Sequence, residues 1–264
     1  MEKQFKYLGA EVNYKIVGKG QPVVLIHGFA EDSSIWNDQS TFLQQYCKLL
    51  IPDLPGSGRS EMLPKEGAAI EDYAAFVNAV LIQENIEKCI VLGHSMGGYI
   101  TLAFADLYPE KLLGFGLVHS TAFADNEEKK ATRQKGIKLI EEYGVFPFLK
   151  STTPNLFTEN YKKQDPEKVW ELIERGKDFS QRALVNYYSA MMKRPDRTFV
   201  LRGSNVPVLF VIGSEDKAAP LEDLLQQVHL PQTAFVHIID NAAHMSMWED
   251  PDKLNSCLFD FISG

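Results

Sequence analysis

The chain has 264 residues, 45% of them apolar, and its 27 Lys and Arg stand against 35 Asp and Glu, a net charge of −8. That length suits one large α/β domain or one with a sizeable insertion, and the apolar share excludes disorder and supplies a core without disulfide or metal staples. The acidic balance argues against nucleic acid, which selects basic surfaces, and no apolar run approaches the roughly 18–20 residues of a membrane span.

The start, Met1-Glu2-Lys3-Gln4-Phe5-Lys6, is charged and then strand-like, without a signal-peptide apolar region. Alternating segments at 5–8 and 12–17 flank Gly9 and predict an antiparallel pair. Short continuous apolar runs follow at 23–26, 48–51, 89–92 and 115–118, the pattern of parallel strands buried on both faces. Between them the spacing predicts helices at about 35–46, 70–84 and 97–108, the last stopped by Pro109. Strand and helix in alternation predict a doubly wound, mostly parallel sheet. Three widely separated cysteines, Cys47, Cys89 and Cys257, sit among apolar neighbours. They read as reduced thiols of a cytoplasmic protein and lack metal-site spacing.

From about 121 to 200 the alternation stops. Helical patterns at 127–143, 166–177 and 180–194 are punctuated by Pro147, Pro154, Pro166 and Pro195. This stretch holds 15 Lys and Arg against 12 Asp and Glu, unlike the acidic remainder, and is rich in aromatic residues such as Phe148, Trp170, Tyr187 and Tyr188. It is expected to be a helical cap inserted into a core made of 1–120 and 201–264. Most of its aromatic side chains are expected to build the insertion's own core, with a few facing whatever it covers. The alternation then resumes, with strands at 207–212 and 234–239 and helices at 221–228 and 252–262.

The sharpest local signal is Gly93-His94-Ser95-Met96-Gly97, directly after an apolar strand and directly before a helix. A strand that turns abruptly into a helix strains its middle residue, needs small residues two before and two after, and pushes the serine hydroxyl out at the carboxyl edge of the sheet. The helix N-terminus beneath favours developing negative charge. A serine so placed is a nucleophile only with a base, and the base needs an orienting acid. The chain order associated with such an elbow is serine, acid, histidine. Asp216 follows the strand at 207–212, with Glu215 a weaker competitor, and His244 follows the strand at 234–239. Two backbone N–H groups complete an oxyanion hole: that of Met96, after the serine, and that of Phe29, in the loop His27-Gly28-Phe29 after the first parallel strand. His27, His94 and His119 are read as structural. Asp53-Leu54-Pro55-Gly56-Ser57-Gly58-Arg59-Ser60 lacks the Lys-Ser/Thr ending of a phosphate loop and is read as a tight structural turn, with Arg59 tying neighbouring segments.

These motifs, in this order and at these strand ends, resemble the α/β-hydrolase superfamily in its branch with a helical cap. The resemblance covers 5–120 and 205–262, with Ala243 standing where glycine is frequent before the histidine. It implies an eight-stranded sheet whose second strand is antiparallel. It also implies Ser95 as nucleophile, His244 as base, Asp216 as its partner, and Phe29 and Met96 as oxyanion donors. A serine rather than an aspartate at the elbow separates the chain from dehalogenases and epoxide hydrolases of this fold and directs it to acyl transfer. The expectation is a serine hydrolase of a small or medium carboxylic ester with an apolar part, cofactor-free and metal-free, acting as a monomer or homodimer. Two alternatives stand beside it: a carbon–carbon or enol-lactone hydrolase using the same triad, and a ligand-binding protein that keeps the fold.

Overall fold

The computed structural model describes residues 1–264. Eight strands run through the chain: β1 (Glu2–Tyr7), β2 (Ala10–Val17), β3 (Pro22–Ile26), β4 (Lys48–Pro52), β5 (Cys89–His94), β6 (Leu112–Val118), β7 (Val208–Gly213) and β8 (Ala234–Ile239). They form one sheet in the order β1-β2-β4-β3-β5-β6-β7-β8. The second strand is antiparallel to both neighbours, and every pairing from β4 onward is parallel. The first hairpin turns on Leu8 and Gly9, both at positive φ (51° and 93°), the backbone that a two-residue connection between twisted strands demands. β1 begins three residues earlier than the apolar pattern suggests, because an edge strand accepts Glu2, Lys3 and Gln4 on its open faces.

The helices are α1 (Asn37–Leu43), α2 (Ile70–Gln83), α3 (Met96–Leu107), α4 (Glu127–Tyr143), α5 (Val145–Thr152), α6 (Glu159–Gln164), α7 (Pro166–Gly176), α8 (Gln181–Lys193), α9 (Thr198–Arg202), α10 (Leu221–Leu225), α11 (Ser246–Glu249) and α12 (Pro251–Ser263). α1 is shorter than the expected 35–46: Asp32 caps a 3₁₀ turn over Ser33–Trp36, and the polar Gln44-Gln45 pair ends the helix. The helix expected over 221–228 stops at Leu225, whereas α12 starts at Pro251, whose fixed φ suits a first helical position.

One face of the sheet packs on α2 and α3, with Phe76, Val77, Ile100 and Phe104 fully buried; the other packs on α1 and α12, with Trp36, Leu43, Leu254 and Leu258. The helices between β6 and β7 divide their buried side chains between these two cores: Phe148, Leu184, Tyr187 and Met191 join the first, and Phe157, Val169 and Leu172 the second. The insertion's helices pack on one another, α4 on α8 and α5 on both α4 and α7, and their buried side chains are continuous with the cores of the sheet domain. α9 crosses the 200/201 point at which composition places the insertion's end. The three cysteines are buried free thiols, and burial pushes Cys47 up to about 11 and Cys89 up to about 12. No helix is long and apolar enough to cross a membrane.

Candidate active site

Ser95 stands between β5 and α3 with φ 51° and ψ −114°, outside the regions an L-residue prefers. The chain holds it there from both sides. Its N–H donates to Val118 O at 2.9 Å, and its carbonyl accepts from the Gly98 N–H at 2.9 Å and the Ser120 hydroxyl at 2.7 Å. The neighbouring glycines are sterically required. A β-carbon on Gly93 would overlap the Gly97 carbonyl, one on Gly97 the Ile26 carbonyl, and one on Gly98 the Ser120 side chain. The Ser95 hydroxyl itself makes no hydrogen bond to any protein group, His244 included. Such bonds are often long or misaligned until substrate is bound.

Asp216 lies one turn past the end of β7 and is buried, whereas its competitor Glu215 points to solvent. Asp216 Oδ1 accepts the Ala218 and Ala219 N–H groups at 2.8 and 2.9 Å, and Oδ2 lies 2.8 Å from His244 Nδ1. Burial alone would raise the Asp216 carboxyl, but His244 and His119 outweigh it and hold the group well below the ordinary carboxylate range. Burial likewise opposes charge on His244; the Asp216 carboxylate, helped by Glu31 and Glu249, more than offsets it and lifts the imidazole above its usual 6.5. Nitrogen and oxygen atoms of His119, Asp216 and His244 lie within 4.8 Å of one another, a spacing a cation could exploit. The Asp216 lone pairs are already turned to N–H groups, so the donor set fits a hydrogen-bonded relay better than a metal.

The loop after β3 presents the Phe29 N–H without any acceptor, and the Met96 N–H is at the first position of α3, where a helix leaves its N–H groups unpaired. Glu31, which the sequence did not single out, braces this loop: its Oε2 accepts the Gly28 N–H at 2.6 Å and lies 3.0 Å from His94 Nδ1. His94 Nε2 in turn donates to the His244 carbonyl at 3.0 Å. His94 thus joins the loop after β3 to the loop carrying His244. Burial pushes the Glu31 carboxyl up, yet His94 and the Gly28 N–H outweigh it and hold the group below its ordinary value. His27 bonds Gly28 O at 2.9 Å and accepts the Leu54 N–H at 3.0 Å. The Asp53–Ser60 turn is closed on itself, with Asp53 accepting the Ser33 and Arg59 N–H groups at 2.9 and 3.0 Å, while the Arg59 guanidinium pairs with Glu2 on the surface.

The segment between β6 and β7 lies over these loops. The Phe29 ring stacks on Tyr188 of α8 at 4.1 Å, and Tyr187 OH reaches Pro55 O and Ser57 Oγ, each at 2.9 Å. The His244 N–H donates to Leu156 O at 3.0 Å. Glu249, a second residue the sequence did not single out, accepts the Thr158 N–H at 2.7 Å and the Ala243 N–H at 2.8 Å, tying the segment to the His244 loop. Burial raises the Glu249 carboxyl. A cavity of about 90 Å³ remains against the loop after β3, walled mainly by Phe29, Phe148, Leu149, Leu156, Leu172 and Tyr188. A more open cleft of about 720 Å³ lies between the β1–β2 turn, the Asp53–Ser60 turn and the α7–α8 connection. Neither space is lined by Ser95, Asp216 or His244; the smaller one is lined by Phe29, next to the glycine loop after β3.

Residues 23–256 match the model of the alpha/beta hydrolase family. The chain belongs to this family. Among curated relatives, the 2-hydroxy-6-oxononadienedioate/2-hydroxy-6-oxononatrienedioate hydrolase of Paraburkholderia phymatum is 26% identical, covering 95% of this chain and 90% of that protein. A thermophilic esterase from Thermogutta terrifontis superposes with a TM-score of 0.92 at 25% identity, covering 100% of this chain and 98% of that one. The enol-lactonase from Burkholderia xenovorans LB400 superposes with a TM-score of 0.91 at 22% identity, over 99% of this chain and 100% of that one. The family model and the Paraburkholderia phymatum relative both point to hydrolysis, and this chain is a hydrolase of the alpha/beta hydrolase family.

Proposed function

We propose that this hydrolase cleaves small carboxylic esters through an acyl-enzyme on Ser95. Attack by Ser95 Oγ on the ester carbonyl transfers the hydroxyl proton to His244 Nε2, and the Phe29 and Met96 N–H groups receive the oxyanion. His244 then protonates the leaving alkoxide, and water repeats the sequence on the acyl group. Asp216 fixes the imidazole through Nδ1 and favours its cationic form. The segment 121–200 acts as a cap that roofs the acyl site.

The ester reading is supported by the cavity against the loop after β3, whose wall includes Phe29, one of the two proposed oxyanion donors. It is small, about 90 Å³, and Glu31, already hydrogen-bonded, is the one charged residue on its wall. A neutral, short acyl chain suits it; a carboxylate would be buried there without a cation, at a cost of several kcal/mol. The second reading is favoured by the Paraburkholderia phymatum relative, whose named substrate is a hydroxy-oxo dioate without an ester, so that its hydrolysis breaks a carbon–carbon bond. Steady-state rates on p-nitrophenyl acetate, butyrate and octanoate and on a 2-hydroxy-6-oxodienoate separate the two. The short neutral esters are expected to exceed the dienoate at least tenfold in kcat/KM; the reverse order would move the assignment to carbon–carbon hydrolysis.

A further inference from the structure

We propose that His119 is a positioning residue for the reaction, donating from Nδ1 to Asp216 and completing the set of hydrogen-bond donors that holds this carboxylate toward His244. The proposal rests on the reading of Asp216 as the orienting acid.

His119 follows β6 directly and is completely buried. Its φ of 50° is left-handed, a region histidine enters more readily than most residues, and its N–H is anchored on Val211 O at 2.9 Å. That backbone sends the ring between two groups. Nε2 lies 2.6 Å from the hydroxyl of Ser246, and Nδ1 lies 3.3 Å from Asp216 Oδ2, the same oxygen that His244 contacts. The Nδ1 contact is not aligned as a full hydrogen bond, and Nδ1 has no other partner.

Burial depresses the His119 imidazole to about 4, so at neutral pH the ring is uncharged and carries one proton. The neighbours decide where that proton sits. A lone pair on Nδ1 would face a carboxylate and repel it, so Nδ1 takes the proton. Nε2 is then an acceptor, and the Ser246 hydroxyl, with no other acceptor, donates to it. Asp216 thereby has three hydrogen-bond donors, Ala218 and Ala219 on Oδ1 and His244 on Oδ2, and the His119 Nδ1–H faces Oδ2 at 3.3 Å as a fourth, longer contact. Rotation of the carboxylate would break the bonds to Ala218, Ala219 and His244 and lose the His119 contact. The positive end of the His119 N–H dipole also withdraws part of the negative potential that Asp216 exerts on His244. Besides Asp216, the charged or titratable groups that face His244 are Glu31, Glu249 and His94, and His94 also lies against the His119 ring.

Three measurements test the proposal on the full chain. In ring ¹H–¹⁵N spectra, His119 is expected to carry its proton on Nδ1 and to stay uncharged from pH 5.5 to 8; a proton on Nε2 instead would overturn the proposal. His119→Leu is expected to lower kcat about tenfold with KM within twofold, the scale of one hydrogen bond to a charged group. It should also move the acid limb of the rate profile upward by about half a pH unit, because Asp216 then holds the His244 proton more strongly. His119→Asn, whose amide N–H₂ can occupy the Nδ1 position, is expected to restore most of both effects. Ser246→Ala, which keeps the ring but removes the hydroxyl that donates to Nε2 and anchors it, is expected to move both in the same direction by less, and serves if His119→Leu does not fold. Folded variants with the rate profile of the unaltered protein would overturn the proposal, provided Asp216→Ala has lost at least a thousandfold. Retained activity in Asp216→Ala would instead overturn the reading of Asp216, and this proposal with it.

Discussion

Ser95 is held at φ 51° and ψ −114°, and that strain is removable without altering any contact of its side chain. The comparison is between Ser95→Ala and Ser95→Gly. Both lose the hydroxyl, which has no protein partner, so Ser95→Ala is expected to leave stability nearly unchanged. Glycine alone accepts this backbone at no steric cost. The relief is on the order of 1–3 kcal/mol, less about 0.5–1 kcal/mol for the greater freedom of glycine in the unfolded chain. The net gain of roughly 0.5–2 kcal/mol corresponds to a rise in Tm of about 1–4 °C for a domain of this size. Thermal melts of the two variants side by side, checked by urea unfolding, read the difference directly. Both variants are expected to be inactive on esters, so the gain in stability comes with complete loss of turnover. A Ser95→Gly variant no more stable than Ser95→Ala would refute the claim that the turn after β5 stores strain at this residue.

Asp216→Asn is expected to lower ester turnover by about 10³–10⁴-fold, because the imidazole loses its orienting partner. It should also remove a pH-dependent part of stability. The raised His244 contributes stability in full below the unfolded value of about 6.5 and loses it as pH rises through the folded value, so unfolding free energies of the two proteins are expected to converge on the alkaline side as far as His244 is concerned. Glu31 has the opposite sign: its depressed carboxyl stabilises above the unfolded value of about 4.5 and loses that contribution as pH falls through the folded one. Glu31→Gln is therefore expected to destabilise at pH 7 by about 1–3 kcal/mol and to match the unaltered protein in strong acid; a constant gap across the titration would contradict this. Phe148→Ala, which enlarges the cavity beside Phe29, is expected to shift the acyl preference from acetyl and butyryl toward octanoyl, and unchanged chain-length selectivity would remove that cavity from the acyl site.

The sheet was legible because parallel strands buried on both faces must be continuous apolar runs, and the glycines around Ser95 were legible because no side chain fits there. The hydrogen bond from His244 to Asp216 followed from strand ends alone. What escaped notice depends on contacts between residues distant in the chain. Glu31 sits in Phe29-Ala30-Glu31-Asp32, where nothing local distinguishes it from a solvated loop acid, yet it is buried on Gly28 and His94. Glu249 reaches Thr158, 91 positions away in the chain. α5 escaped because Pro147 reads as a break, although a proline in a helix's first turn loses no intrahelical bond. Composition does not say which surface an apolar face meets: Phe148 and Tyr188, and Phe146 and Trp170, pack on each other within the insertion, while Tyr187 and Tyr188 also reach the Asp53–Ser60 turn and Phe29.

The central claim is that the hydroxyl of Ser95 and the imidazole of His244 act as one unit. A fluorophosphonate probe followed by intact mass and peptide mapping tests it most directly. One adduct per chain is expected, on Ser95, formed at a rate that falls in acid with the protonation of His244 and drops at least a thousandfold in His244→Ala. Labelling at another residue, or labelling of Ser95 at an undiminished rate without His244, would contradict the account.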